Sequence, residues 1–180
     1  MRSHAFTTEA IVVSRRVSGE ADYYMTLLTK DHGKRSVTAR SVRKVTSRKR
    51  GHLEIGSHVR VGITDGDFPT ITEAVTIQSF PEIRGSLKKL SLMYYFMEVA
   101  SSFAQDPEYS ETIFDILLTY IEKLGTTTTL KTLRRDYVCD LMVSCGFWPE
   151  GKVMSDPDQA LDGVLERMPR SLRIGKKLMV

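Results

Sequence analysis

Cysteine is scarce: the 180 residues hold two, Cys139 and Cys145, too few for a disulfide framework or a four-ligand structural zinc site. Six positions apart on a helical segment, they face different sides, since neighbours on a helix surface are three or four residues apart. Reduced, unliganded thiols are therefore expected. Long apolar runs are also missing. No stretch nears the roughly 18 apolar residues of a membrane span, and Met1 to Glu20 lacks the basic start, apolar block and cleavage site of an export signal. The expectation is a cytoplasmic protein with no membrane partner. Phosphate-binding loops, a Gly-x-Ser-x-Gly elbow and a His-Glu-x-x-His pair are absent too. No enzyme, catalytic residue or cofactor is expected.

His4, His32, His52 and His58 follow no zinc spacing and read as surface or core histidines, so no metal is expected. Asp65-Gly66-Asp67 carries two carboxylates that a divalent cation accepts, yet a tight hairpin demands the same triplet on conformational grounds. The turn is the preferred reading.

What the chain does have is 41% hydrophobic and 27% charged residues, enough to bury a core in one or two domains. The net charge of +4 barely favours a nucleic-acid partner, but the charge is uneven. Residues 1–80 carry 13 basic and 8 acidic side chains, against 13 and 14 in residues 81–180. From Lys30 to Arg60 ten cations meet only Asp31 and Glu54. This segment is the feature most able to carry function, because Lys and Arg neutralise phosphates and release condensed counterions whatever the base sequence.

β-Branched alternation dominates before Phe80 and helix-period apolar stripes after Gly85, placing a domain boundary at Pro81 to Gly85. Ala10–Val17, Tyr23–Thr29, Ser36–Ala39, His58–Ile63 and Thr70–Ile77 read as strands. Turn signals fall at Ser18-Gly19-Glu20, Asp31-His32-Gly33 and Asp65-Gly66-Asp67. Arg40 to Ser57 is long, basic and apolar-poor, suiting the third-to-fourth connection of a five-stranded OB barrel, often the seat of a short helix. The basic segment then lies where such a barrel holds its ligand, beside strands 2 and 3. Tyr23, Tyr24 and Phe68 are candidate stacking platforms for unpaired bases. Alternation sends Tyr23 and Tyr24 to opposite faces, so at most one stacks, and either could be the core one.

In the second half, Leu87, Leu90, Tyr94, Met97 and Phe103, widened by Met93, Phe96 and Val99, predict a broad-faced central helix. A second follows Asp106-Pro107 through Ile113, Leu117, Tyr120, Ile121 and Leu124, with Gly125 as its stop. A third, capped by Thr129, runs through Leu133, Tyr137, Leu141 and Met142 to Gly146. Asp156-Pro157 to Arg167 is a short fourth helix, and Ser171 to Val180 a basic tail. The apolar stripes read as core packing. A groove between the helices, flanked by Lys88, Lys89, Arg134 and Arg135, would accept an acidic, apolar peptide.

The order Ala10-Ile11-Val12-Val13, Gly19-Glu20-Ala21-Asp22 and Leu28-Thr29-Lys30-Asp31-His32-Gly33-Lys34 resembles the amino-terminal signature of the RecO family of DNA repair proteins. The resemblance continues through Ala39-Arg40-Ser41-Val42-Arg43-Lys44 and Ser47, and through Gly146-Phe147-Trp148-Pro149, a landmark of the helical domain, covering about 150 residues in order. It implies an α+β chain, with a five-stranded OB-fold barrel over residues 1–80 and a small helical domain over 86–180. It further implies a non-enzymatic recombination mediator of the RecF pathway that binds single- and double-stranded DNA and anneals complementary strands. The partners so implied are RecR and the acidic, Phe-ended C-terminal tail of single-stranded DNA-binding protein, with RecA as the protein being loaded. The DNA contacts would be Lys34, Arg35, Arg40, Arg43, Lys44, Arg48, Lys49 and Arg50. Two other readings are an interaction adaptor docking through its helical half, and a single-stranded RNA binder.

Three departures from the family pattern stand out. Ser41 replaces a common Gly, which makes a positive-φ turn there less expected. The four zinc-binding cysteines that many members carry after the Gly-Phe-x-Pro landmark are missing between Trp148 and Val180, so no zinc is expected. The chain also ends early for the family, with the last helices of the helical domain missing or compressed, which bears on the groove.

Overall fold

A computed structural model describes residues 5–104 and 107–167; His4 and the basic tail lie outside the described residues. Five strands, β1 (Ala5–Ser18), β2 (Asp22–Thr29), β3 (Gly33–Ala39), β4 (His58–Thr64) and β5 (Thr70–Gln78), close into a barrel in the order β1-β2-β3-β5-β4. All neighbours are antiparallel except β3 and β5, which meet in parallel at Thr38 and Thr70. This is the five-stranded OB topology, and closure removes exposed sheet edges. β1 starts five residues before the sequence pattern suggests. Ala5–Ile11 pairs with β4 and Ala10–Ser18 with β2, the β2 pairing interrupted by a bulge between Val12 and Ser14. A bulge bends a strand, letting one strand serve both neighbours of a closing barrel.

Helices follow: α1 (Pro81–Arg84), α2 (Leu87–Phe103), a 3₁₀ turn (Pro107–Tyr109), α3 (Ser110–Thr126), α4 (Leu130–Ser144) and α5 (Pro157–Arg167). Among the described residues no helix is long and apolar enough to cross a membrane. The segment expected to be a boundary, Pro81 to Gly85, is itself helical and sends Ile83 into the helical core beside Phe80.

Two buried clusters organise the chain. One fills the barrel with Val12, Met25, Leu27, Val37, Val59, Val61, Ile63 and Ile71. The other gathers the inner faces of α2, α3 and α4 and also takes Ile11 and Leu28 from the barrel's outer surface. That accounts for the runs Ala10-Ile11-Val12-Val13 and Leu27-Leu28: alternation gives way to continuous apolarity where both faces of a strand are covered.

Three local expectations are corrected. Leu87 and Tyr94 are exposed, at 82% and 41%, because the buried stripe of α2 is centred on Met93, Phe96, Met97, Ala100 and Phe103. Gly125 lies within α3 rather than stopping it; its missing side chain admits Glu82, and its carbonyl accepts from Lys89 at 2.7 Å. Thr129 precedes α4 without a capping side-chain bond, its hydroxyl lying 3.2 Å from that of Thr127. Asp156, by contrast, accepts from the backbone N–H groups of Asp158 and Gln159 and so opens α5.

Cys139 is half-buried and Cys145 buried, and burial pushes the Cys145 thiol up to about 11. His58 hydrogen-bonds Glu9 at 3.0 Å and stands edge-on to Phe114, His52 bonds Thr76, and His32 packs on Phe6.

The barrel and helices lock together at glycines. Gly33, with φ +65°, leaves room for the Ser110 hydroxyl, and Gly56, with φ +81°, for Met93. A Cβ on Gly56 would lie 2.5 Å from the Met93 sulfur. Gly56→Ala combines a left-handed backbone with that clash and is expected to cost about 1–3 kcal/mol of stability. A urea unfolding midpoint equal to the parent's would contradict this packing.

Candidate nucleic-acid interface

Eighteen residues, 40–57, join β3 to β4 as a chain of turns with no helix. Like charges along such a loop repel, so something must hold it. Val42 and Leu53 do so from inside: both are 0% exposed and belong to the barrel core, plugging its end. At the near side Ser41 N–H donates to Asp22 at 2.7 Å, Arg43 N–H to the Ala21 carbonyl at 2.9 Å, and the Arg43 guanidinium to the Glu20 carbonyl at 3.0 Å. At the far side the Lys49 ammonium donates to the Ile71 carbonyl at 2.8 Å, and burial lowers its pKa. Glu54 then accepts from Arg15 at 3.3 Å and from Arg84 at 3.2 Å, tying β1, the loop and α1 together.

Although it is not a glycine, Ser41 has φ 53°. The positive-φ turn is therefore present, against the expectation from its side chain. The Asp22 bond to its N–H holds it in place.

The loop thus crosses the barrel's end from the β1–β2 turn to β5. Arg40, Arg43, Lys44, Arg48 and Arg50 are exposed. None of the five pairs with a carboxylate among the described residues, so their field is directed at solvent. Lys49 is an anchor rather than a free cation. Lys34 and Arg35 stand apart: they lie at the opposite end of β3, about 20 Å from Arg40 at some 3.3 Å per residue, and Arg35 donates to the His32 carbonyl at 3.1 Å.

The register also separates the two tyrosines. Tyr23 packs on the barrel core, with the Arg15 guanidinium 5.3 Å from its ring centre. Tyr24 faces out at 39% exposure, paired with Arg16 on β1 and Thr38 on β3, with the Arg16 guanidinium 5.6 Å from its ring centre. Phe68, at the β4–β5 turn, is 83% exposed. Sequence reasoning passed over Arg16, which lies before the cationic window; the Arg15-Arg16 pair just ahead of a turn was the available signal.

On the helical side a groove of about 540 Å³ opens between α2 and α4. Leu87, Leu92, Tyr95 and Leu130 give it apolar walls, and Lys88, Lys131 and Arg134 are its cations. Arg134 is further held by Asp158 and lies 4.5 Å from the centre of the Tyr95 ring. Of the four cations expected here, Lys88 and Arg134 line the groove. Lys89 instead binds the Gly125 carbonyl, Arg135 pairs with its neighbour Asp136, and Lys131 was missed.

Residues 1–80 match the family model described as the recombination protein O N-terminal domain. A protein of Dehalococcoides mccartyi named DNA repair protein RecO is 35% identical over 161 residues, covering 89% of this chain and 64% of the relative. The first 80 residues thus match a RecO-type N-terminal domain, and the chain is similar to RecO proteins over most of its length. RecO proteins of Roseiflexus sp. and Pelotomaculum thermopropionicum are 29% and 28% identical, with 83% and 89% of this chain aligned to 53% and 62% of theirs. The chain thus spans less than two thirds of the length of these RecO relatives.

The strained serine gives a direct check of the loop's anchoring. A non-glycine residue in the left-handed region costs about 1–2 kcal/mol, and glycine's greater freedom when unfolded offsets about 0.5–1. Ser41→Gly is expected to raise stability by about 0.5–1 kcal/mol in urea titrations at unchanged m value. A lower midpoint would refute the positive-φ assignment.

Proposed function

We propose that this chain is a DNA-binding recombination mediator that acts in DNA repair without catalysing a chemical step. The barrel of residues 1–80 would be its DNA-binding domain and the helices of 86–180 its partner-binding domain. The observation that carries this reading is a cationic loop on a RecO-type OB barrel, pinned at both ends, whose exposed guanidinium and ammonium groups lack carboxylate partners among the described residues.

Phosphates laid along Arg40, Arg43, Lys44, Arg48 and Arg50 would be neutralised without reference to base sequence, which suits both single- and double-stranded DNA. Two complementary strands held on such a surface repel each other less and meet more often. Annealing therefore needs no nucleotide, metal or catalytic group from the protein. Lys34 and Arg35, at the far end of β3, would be a second, separate contact.

The groove between α2 and α4 suits an acidic peptide ending in an aromatic residue, such as the C-terminal tail of single-stranded DNA-binding protein. Its walls are apolar, and its charged side chains are all cationic. Such docking, with RecR as a further partner, would bring the protein to coated single strands in the cytoplasm and nucleoid, where RecA is to be loaded.

Two measurements test this. Binding of a fluorescent single strand should weaken steeply with salt, and adding its complement should give accelerated annealing without nucleotide or metal. Neutralising Arg40, Arg43, Lys44, Arg48 and Arg50 together is expected to weaken binding at least tenfold. It should also flatten the plot of log K against log salt, by about 0.7 for each phosphate of a single strand that is no longer neutralised. Unchanged affinity and slope would overturn the loop assignment, and a matched RNA that outcompetes the DNA would replace this reading with RNA binding. For the groove, Lys88→Ala with Lys131→Ala is expected to weaken an acidic, Phe-ended peptide several-fold in fluorescence anisotropy. Equal affinity would rule the groove out as its site.

A further inference from the structure

The outer face of the barrel carries a feature that phosphate neutralisation leaves unused. Arg16, Tyr24, Thr38 and Thr70 stand side by side on β1, β2, β3 and β5, each the register partner of the next. Thr38 N–H also donates to the Pro69 carbonyl at 2.9 Å, which fixes the β4–β5 turn against β3. Phe68, just before Pro69, is 83% exposed. At about 4.8 Å between strands, Tyr24 and Thr70 are about 10 Å apart, a span suited to a few unstacked nucleotides. An exposed phenylalanine has no folding role to explain it, and the Tyr24 ring is half open with a guanidinium beside it.

Charge is distributed unequally about this row. Arg40, the next residue but one after Thr38, and Arg43, tied to the β1–β2 turn, lie on its loop side. Asp65 and Asp67 flank Gly66 immediately before Phe68, both exposed. A phosphate chain would therefore run beside Arg40 and Arg43, and the acidic turn would repel a second backbone.

The geometry points to a base-stacking row, Tyr24 with Arg16 at one end and Phe68 at the other, that selects unpaired DNA over duplex. It rests on the DNA-binding reading above and adds to it the origin of strand preference. Bases of a single strand stack on the two rings, whereas a duplex hides its base faces and brings its second phosphate chain towards Asp65 and Asp67. Arg16 contributes by its cation–π contact with the Tyr24 ring.

The test compares the full chain and its Tyr24→Ala, Phe68→Ala and Tyr24→Phe variants. Ligands are a thymidine oligonucleotide, an abasic strand of equal length and a duplex, each titrated across salt. The parent should prefer the thymidine strand to the abasic one by about tenfold or more per stacked base. Each alanine variant should lose much of that preference and of the single-over-double-strand ratio while keeping its salt slope on the abasic strand. Tyr24→Phe should keep both. Both rings are solvent-facing, so thermal unfolding should be nearly unchanged in all variants. A parent that binds thymidine and abasic strands equally, or alanine variants that retain the preference, would overturn the stacking row and leave the cationic loop standing. A parent that binds none of the three ligands at low salt would overturn the DNA-binding reading itself.

Discussion

The burial of Val42 and Leu53 in the end of the barrel is the contact on which the proposed DNA surface depends. Between them run Arg43, Lys44, Arg48, Lys49 and Arg50 with no acidic residue, a segment that on its own would extend into solvent. Two apolar side chains, each contributing about 1.5–3 kcal/mol when buried, offset mutual repulsion that water screens to well under that per pair. The bonds to Asp22, Ala21, Glu20 and Ile71 then decide the path between the plugs.

A second constraint joins the two halves. Ile11 and Leu28 leave the barrel's outer face for the helical core, Lys30 reaches Glu111 and Asp115 on α3 at 3.5 Å, and Met93 fills the space above Gly56. The same α2 that presses on Gly56 supplies Leu92 and Tyr95 to the groove. Loop and groove are thus mounted on one continuous body.

How much of this was legible in the sequence follows the physics of each signal. Alternation and turn residues located all five strands, because strand period and hairpin chemistry are local. The early start of β1 was not visible: Ala5–Glu9 pairs with a strand some fifty residues away, and its own pattern is short and polar. The α2 stripe was misjudged at Leu87 and Tyr94, since a helix that is apolar nearly all round does not say which side faces inward. For the site, the cationic window marked out the β3–β4 loop, but charge counting could not tell Lys49, which turns inward, from Arg48 and Arg50, which do not. Nor could it see that Lys34 and Arg35 stand a strand's length away. Which tyrosine is open depended on which face of β2 enters the barrel: Met25 and Leu27 do, and Tyr23 shares their side.

The loop's anchoring also has a thermodynamic meaning. A disordered basic arm loses conformational freedom when it meets a polyanion, and that loss cancels much of the entropy gained from displaced ions. Here the arm is already ordered in the free protein, clasped at Val42, Leu53 and Lys49. Association on this surface should therefore be driven by entropy, with a small heat-capacity change and little dependence of its enthalpy on temperature.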